Sequence, residues 1–120
     1  MNFKTLIAAA MFVTVGLVAA PTMVIAAPIH TIKITAHQFA FDPSIIVVHV
    51  GHPVKLVMTS EDVTHGVAST ALGIPDTPIV KGKISTVTFT PRKVGTYRVH
   101  CSVFCGVGHA DMMLTVKVVK

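Results

Sequence analysis

The segment Cys101-Ser-Val-Phe-Cys105-Gly-Val-Gly-His109-Ala-Asp-Met112 holds the only two cysteines of the chain, with a histidine and a methionine soon after the second. Two thiolates, an imidazole and a thioether form a soft donor set, suited to Cu(I), zinc or iron–sulfur chemistry, and imidazole favours copper or zinc. The thioether discriminates among these. Zinc sites draw on Cys, His and carboxylate ligands. Iron–sulfur clusters need four cysteines, or two with two histidines. Copper remains, and it accepts methionine readily. Gly106 and Gly108 let so short a segment wrap tightly, because glycine tolerates positive φ, so its side chains can converge on a point. A second imidazole must come from elsewhere. His65, in Asp62-Val63-Thr64-His65-Gly66, is the best candidate, and Gly66 again permits close packing.

Other readings of the same residues stay open at this point. Exported cysteines tend to pair as disulfides. Closing so small a loop would stabilise the fold by only roughly 2 kcal/mol and would leave His109 and Met112 without a role. A mononuclear blue-copper site could be built from His65, Cys105, His109 and Met112, leaving Cys101 unexplained. Spacing from Cys105 favours Met112 over Met113, which reads as a strand residue. His30, His37 and His49 read as surface residues, His52 as a turn residue, and His100 falls on the strand face opposite Tyr97 and Val99. Asp62 and Asp111 lie near the site and can orient ligands, with plain solvent exposure the simpler reading of each.

Such a loop needs a rigid frame, and the rest of the chain reads as strands. Helical periodicity is nearly absent, and short Val/Ile/Thr-rich runs are punctuated by Gly and Pro. Strands are expected over Thr31–Ala36, Ile45–Val50, Val54–Thr59, Val63–Ser69, Ile84–Thr90, Thr96–Cys101 and Met113–Val119. Gly51-His52-Pro53 sets the second and third of these at hairpin distance, and Ile74-Pro75-Asp76-Thr77-Pro78 reads as a loop. Roughly seven or eight strands, each with one apolar face, predict an all-β fold of two antiparallel sheets packed face to face. Cys101 to Met112 is the longest connection that no hairpin requires, and such loops are often functional.

The N-terminus reads as an export segment. Lys4 is the only charge before an uncharged run from Thr5 to Ile29, in which an apolar stretch from Leu6 to Ala20 precedes Pro21 and Val24-Ile25-Ala26-Ala27. This describes a signal peptide over residues 1–26, cleaved after Ala26. The alternative is an uncleaved anchor, since spanning a bilayer takes about 20 such residues. The expected mature domain is residues 27–120. It holds nine Lys/Arg (ten less Lys4) against five Asp/Glu, a formal charge of +4. The basic residues are scattered, without runs or interleaved aromatics, which argues against a nucleic-acid partner.

The pattern Cys101-x3-Cys105-Gly-x2-His109-x2-Met112, preceded by Val63-Thr64-His65-Gly66, resembles the dinuclear copper (CuA) domain of cytochrome c oxidase subunit II, closest to its single-anchor ba3-type members. The likeness runs from about Phe39 to the C-terminus and includes Ser85-Thr86-Val87 and Gly95-Thr96-Tyr97-Arg98. It implies a cupredoxin Greek-key β-sandwich and two copper ions. Cys101 and Cys105 would bridge both ions, His65 and His109 would bind one each, Met112 would be a weak ligand, and the Val103 carbonyl would be the other. It also implies electron transfer from a c-type cytochrome or other redox protein toward a terminal oxidase, with subunit I of that oxidase as a further partner. A site filled by protein donors leaves no open position for substrate, in keeping with that role, and no Ser/His/Asp set or paired carboxylates suggest catalysis. Periplasmic copper handling is the competing function. The expected location is extracytoplasmic, with membrane contact only if residues 5–29 are retained. The sequence departs from the family pattern in having no Trp, no two-helix membrane hairpin and no evident acidic docking patch. Phe39, Phe41 and Phe104 are the candidates to replace the missing surface tryptophan.

Overall fold

The alternation read along the strands becomes an alternation of burial. A computed structural model describes residues 9–25 and 27–120. Its strands are β1 (His30–His37), β2 (Ala40–Asp42), β3 (Ile45–His49), β4 (Val54–Ser60), β5 (His65–Ser69), β6 (Ile74–Ile79), β7 (Ser85–Phe89), β8 (Gly95–Cys101) and β9 (Met113–Val119). In β4, Val54, Leu56, Met58 and Ser60 are buried while the residues between them are half-buried. In β9, Leu114, Val116 and Val118 point inward. A pleated strand exposes alternate faces, so each contributes one row to the core.

Two sheets pack around that core, one in the order β2-β1-β4-β7 and the other β3-β9-β8-β5-β6. Ile34, Phe41, Leu56, Met58 and Phe89 come from the first, and Val48, Val67, Ile79, Val99, Leu114 and Val116 from the second. This is the expected all-β, cupredoxin-like sandwich. Two features of the sheets differ from expectation. The segments flanking Gly51 do not form a hairpin: β3 pairs in parallel with β9, and β4 in parallel with β1. The turn at Gly51 therefore carries the chain from one sheet to the other, and neither sheet is purely antiparallel.

The stretch Ile74–Ile79 is a strand and not a loop. Its prolines suppress the strand signal because they cannot donate to a ladder, and such residues are confined to edges. β6 is an edge strand paired only with β5. β2 has three residues, too few to show a period. β5 begins at His65, so Val63 and Thr64 lie outside it. Residues 9–25 form no helix or strand and are exposed. Among the described residues, no helix is long and apolar enough to cross a membrane. Lys4 and the expected cleavage point at Ala26 lie outside the described residues.

Candidate metal centre

β8 ends at Cys101 and β9 begins at Met113, and the two strands pair antiparallel up to His100 and Met113. The connection between them is therefore held at both ends. The Cys101 N–H donates to the Met112 carbonyl at 3.1 Å, and the Ser102 N–H to the Gly66 carbonyl at 3.1 Å. The Ser102 hydroxyl donates to Asp76 Oδ1 at 2.6 Å, tying the loop to edge strand β6. At Gly66 a Cβ would collide with the Ser102 side chain and lie 2.9 Å from Val103 Cγ2. Only glycine lets β5 approach the loop this closely.

A turn of 3-10 helix spans His109–Asp111, with the Met112 N–H donating to the His109 carbonyl at 3.2 Å. Side chains three apart on such a turn eclipse, which sends His109 and Met112 to the same side. Gly108 opens this turn against the ring of Phe39, and a Cβ there would run into that ring.

The donor atoms converge. Cys101 Sγ and Cys105 Sγ are 3.8 Å apart, and both thiols are free and buried, so the pair is not a disulfide. Cys101 Sγ lies 3.9 Å from His65 Nδ1 and 3.2 Å from the Val103 carbonyl. Cys105 Sγ lies 3.6 Å from His109 Nδ1 and 3.8 Å from Met112 Sδ. The ligand atoms of His65, Cys101 and Cys105 all fall within 4.8 Å of one another. The two thiols are thus surrounded by four further donors, His65 and the Val103 carbonyl near Cys101, and His109 and Met112 near Cys105. This soft set of sulfur and imidazole is a copper set. A one-copper site at Cys105 would leave Cys101 and the donors beside it unused.

Polar groups around the site aim these donors. His65 is fully buried, and its Nε2 lies 2.7 Å from Asp62 Oδ1. A carboxylate oxygen accepts, so Nε2 carries the proton and the Nδ1 lone pair faces Cys101. The bend before β5 places Asp62: the Ser60 hydroxyl donates to the Val63 carbonyl, and the Asp62 N–H to Ser60 Oγ at 3.3 Å. Desolvation works against ionisation of Asp62. Hydrogen bonds from the Gln38 N–H, the His65 ring and the Val63 N–H outweigh it and hold the carboxyl at about 2. Burial pushes the Cys105 thiol up to about 11, with the hydrogen bond and charge of Cys101 and the charge of Asp62 acting the same way. A metal bound at Cys105 would therefore have to displace its proton.

Gln38 links the two halves of the site. Its backbone N–H donates to Asp62 Oδ2 at 2.7 Å, and its side-chain Nε2 donates to the Cys105 carbonyl at 2.7 Å. Sequence reasoning missed it, and nothing in its neighbours signals the contact. All six expected site residues meet in one place. Asp62 orients His65, whereas Asp111 is exposed. His100 is exposed and points away, and Met113 lies in β9. Of the three phenylalanines, Phe41 is buried in the core at 1 % exposure, so it cannot serve as a surface residue. Phe39 is half-buried beneath the loop. Phe104 is 77 % exposed, its ring centroid 5.5 Å from that of His109.

The family described as cytochrome C oxidase subunit II, periplasmic domain, matches residues 18–119. Cytochrome c oxidase subunit 2 of Thermus thermophilus is 34% identical over 89 residues, covering 74% of this chain. The chain spans 52–65% of the length of the curated relatives it matches. Among solved structures, the periplasmic domain of subunit II (CoxB) of Bradyrhizobium japonicum superposes with a TM-score of 0.70 at 26% identity, over 82% of this chain and 88% of that one. Auracyanin A, a blue copper protein of Chloroflexus aurantiacus, shares the fold, with a TM-score of 0.58 at 22% identity over 77% of this chain and all of that one. With the family matched over nearly the whole sandwich, the chain belongs to the periplasmic domains of cytochrome c oxidase subunit II.

Proposed function

We propose that this domain holds two copper ions between Cys101 and Cys105 and relays single electrons from a c-type cytochrome or similar redox protein toward a terminal oxidase. The observation that carries this reading is the convergence of two imidazoles, a thioether and a backbone carbonyl on two free thiols 3.8 Å apart. Cys101 and Cys105 would be shared by both ions. His65, His109, Met112 and the Val103 carbonyl would supply the remaining donors. Copper held there supplies a one-electron couple.

The chain's own residues explain why such a centre passes electrons and does no chemistry on a substrate. The donors are protein groups on every side, so no position is left for a reactant. Cys101, Cys105, His65 and Met112 are buried, which excludes water from the thiols. The Asp62–His65 and Gln38–Cys105 hydrogen bonds fix the donors from outside, as rigid supports of a metal site do. His109 is only half-buried, and with Phe104 over its ring it offers the surface nearest the centre. That is where we place the approach of the donor protein. The domain works outside the cytoplasm, and residues 1–26 serve as the export signal or, if kept, as the anchor to the membrane.

The test is copper content and spectroscopy. The chain from Ala27, reduced and loaded with copper, should hold two ions and show one unpaired electron shared equally between them. One copper per chain with a mononuclear signal would overturn the reading.

A further inference from the structure

Three of the chain's seven histidines lie at the pole of the sandwich away from the cysteine loop. β9 leaves that loop at Met113 and ends six residues later at Val119, a run of ~20 Å at the usual strand rise. His49 pairs with Val119 at the far end. His30 and Val54 begin the parallel strands β1 and β4, and β4 runs from this pole toward Asp62. His52 sits between His49 and Val54.

His49 and His52 are the first and fourth residues of a tight turn. The His52 N–H donates to the His49 carbonyl at 3.2 Å, and Gly51 has φ +78, the left-handed value that a type II turn takes at its third residue. The turn is fastened to its surroundings by Val50 N–H to Val119 O at 2.8 Å and Gly51 N–H to Pro91 O at 2.7 Å. Both imidazoles are exposed, with ring centroids 6.0 Å apart and planes at 67°. His49 Nδ1 lies 2.9 Å from the Lys120 backbone oxygen. That oxygen only accepts, so the proton sits on Nδ1 and the Nε2 lone pair faces outward. A ligand histidine is commonly oriented by such a bond through its other nitrogen. With a metal–nitrogen bond of about 2 Å, two imidazoles on one ion have centroids roughly 4.5–6.4 Å apart. The observed separation falls in that range.

We propose that His49 and His52 form a second metal site, on the surface, for a borderline divalent cation. Imidazole and water donors suit Cu²⁺ above the other first-row ions. His30, whose N–H donates to Pro53 O at 3.0 Å, lies at the same pole, but its ring does not form a three-ligand group with His49 and His52, so water completes the site. Arg92 follows Pro91 at this pole, and its charge weakens cation binding. The site shares no residue with the cysteine centre and is too far from it to exchange ligands. It gives the domain a Cu²⁺-holding surface separate from its redox centre.

The test is a Cu²⁺ titration of the exported protein at pH 7.5, already saturated with copper at the cysteines and freed of excess. One further Cu²⁺ per chain should bind, with an EPR signal of the type 2 kind, nitrogen hyperfine structure and no new thiolate absorption. His49→Ala and His52→Ala should each weaken it about tenfold or more. Parent and variants are compared directly, so whatever the cysteines hold cancels. Both rings are exposed, so the variants should keep the parent's Tm and circular dichroism. Absence of the extra ion in the parent, or equal affinity in the parent and both variants, would overturn the proposal.

Discussion

Replacing Asp62 with alanine tests whether the fold aims His65. The carboxylate accepts three hydrogen bonds, from His65 Nε2 at 2.7 Å, Gln38 N at 2.7 Å and Val63 N at 2.6 Å. His65 has no solvent exposure, so its N–H would be stranded, at a cost of about 1–3 kcal/mol. The two backbone N–H groups lie near the surface, where water can replace much of what they lose. The sum is roughly 2–4 kcal/mol against a domain stability of about 5–15 kcal/mol. In a domain of this size that lowers Tm by roughly 10–25 °C. Copper affinity should fall about 10- to 100-fold, the usual cost of removing a group that orients a ligand. Asp62→Asn keeps an oxygen to accept from His65 and should lose markedly less of both. Urea unfolding of the reduced, metal-free protein gives the first quantity, and competition with a copper chelator gives the second. If Asp62→Ala matched the parent within about 0.5 kcal/mol and bound copper equally well, the carboxylate would not be what holds the imidazole.

Three further outcomes follow from the same geometry. Gly108→Ala drives a methyl into the Phe39 ring and should cost about 1–3 kcal/mol. Adding Phe39→Leu should recover part of that loss, measurable as non-additivity in a double-mutant cycle. Gln38→Leu removes the donor to the Cys105 carbonyl and should cost about 0.5–1.5 kcal/mol, with a displaced reduction potential as the readout that a purely structural role would not move. For acid stability the sign follows from Asp62, held at about 2 against its ordinary 3.8. A depressed carboxyl contributes fully above its unfolded value and is lost as pH falls through the folded one. The metal-free parent should therefore lose stability between about pH 4 and 2, and Asp62→Asn should flatten that slope in acid unfolding curves.

What the sequence discloses depends on how local each interaction is. Strands such as β7 and β9 were legible because Val87, Phe89, Leu114, Val116 and Val118 alternate with polar or exposed positions. The partner of each strand was not. Gly51-His52-Pro53 looks like a hairpin turn, yet β3 and β4 take partners distant in the chain, and pairing of that kind leaves no local mark. β6 was hidden by Pro75 and Pro78, which an edge strand tolerates. The site was readable because most of its donors fall in one short loop, and glycines mark both that loop and His65. Gln38 was not readable, because a glutamine that donates to a distant carbonyl looks like any surface glutamine. Phe41 shows the opposite failure: an aromatic read as a candidate surface residue belongs to the core.

Four of the six donor groups come from the single connection between β8 and β9, a fifth, Cys101, is the last residue of β8, and only His65 comes from elsewhere, at the start of β5. The paired strands that hold this connection owe their stability to rows of Val and Leu that never meet the donors. Changes in loop length or ligand type can therefore accumulate without disturbing the core. A lineage carrying this sandwich can trade one kind of metal centre for another by altering about a dozen consecutive residues, leaving the frame to be inherited unchanged.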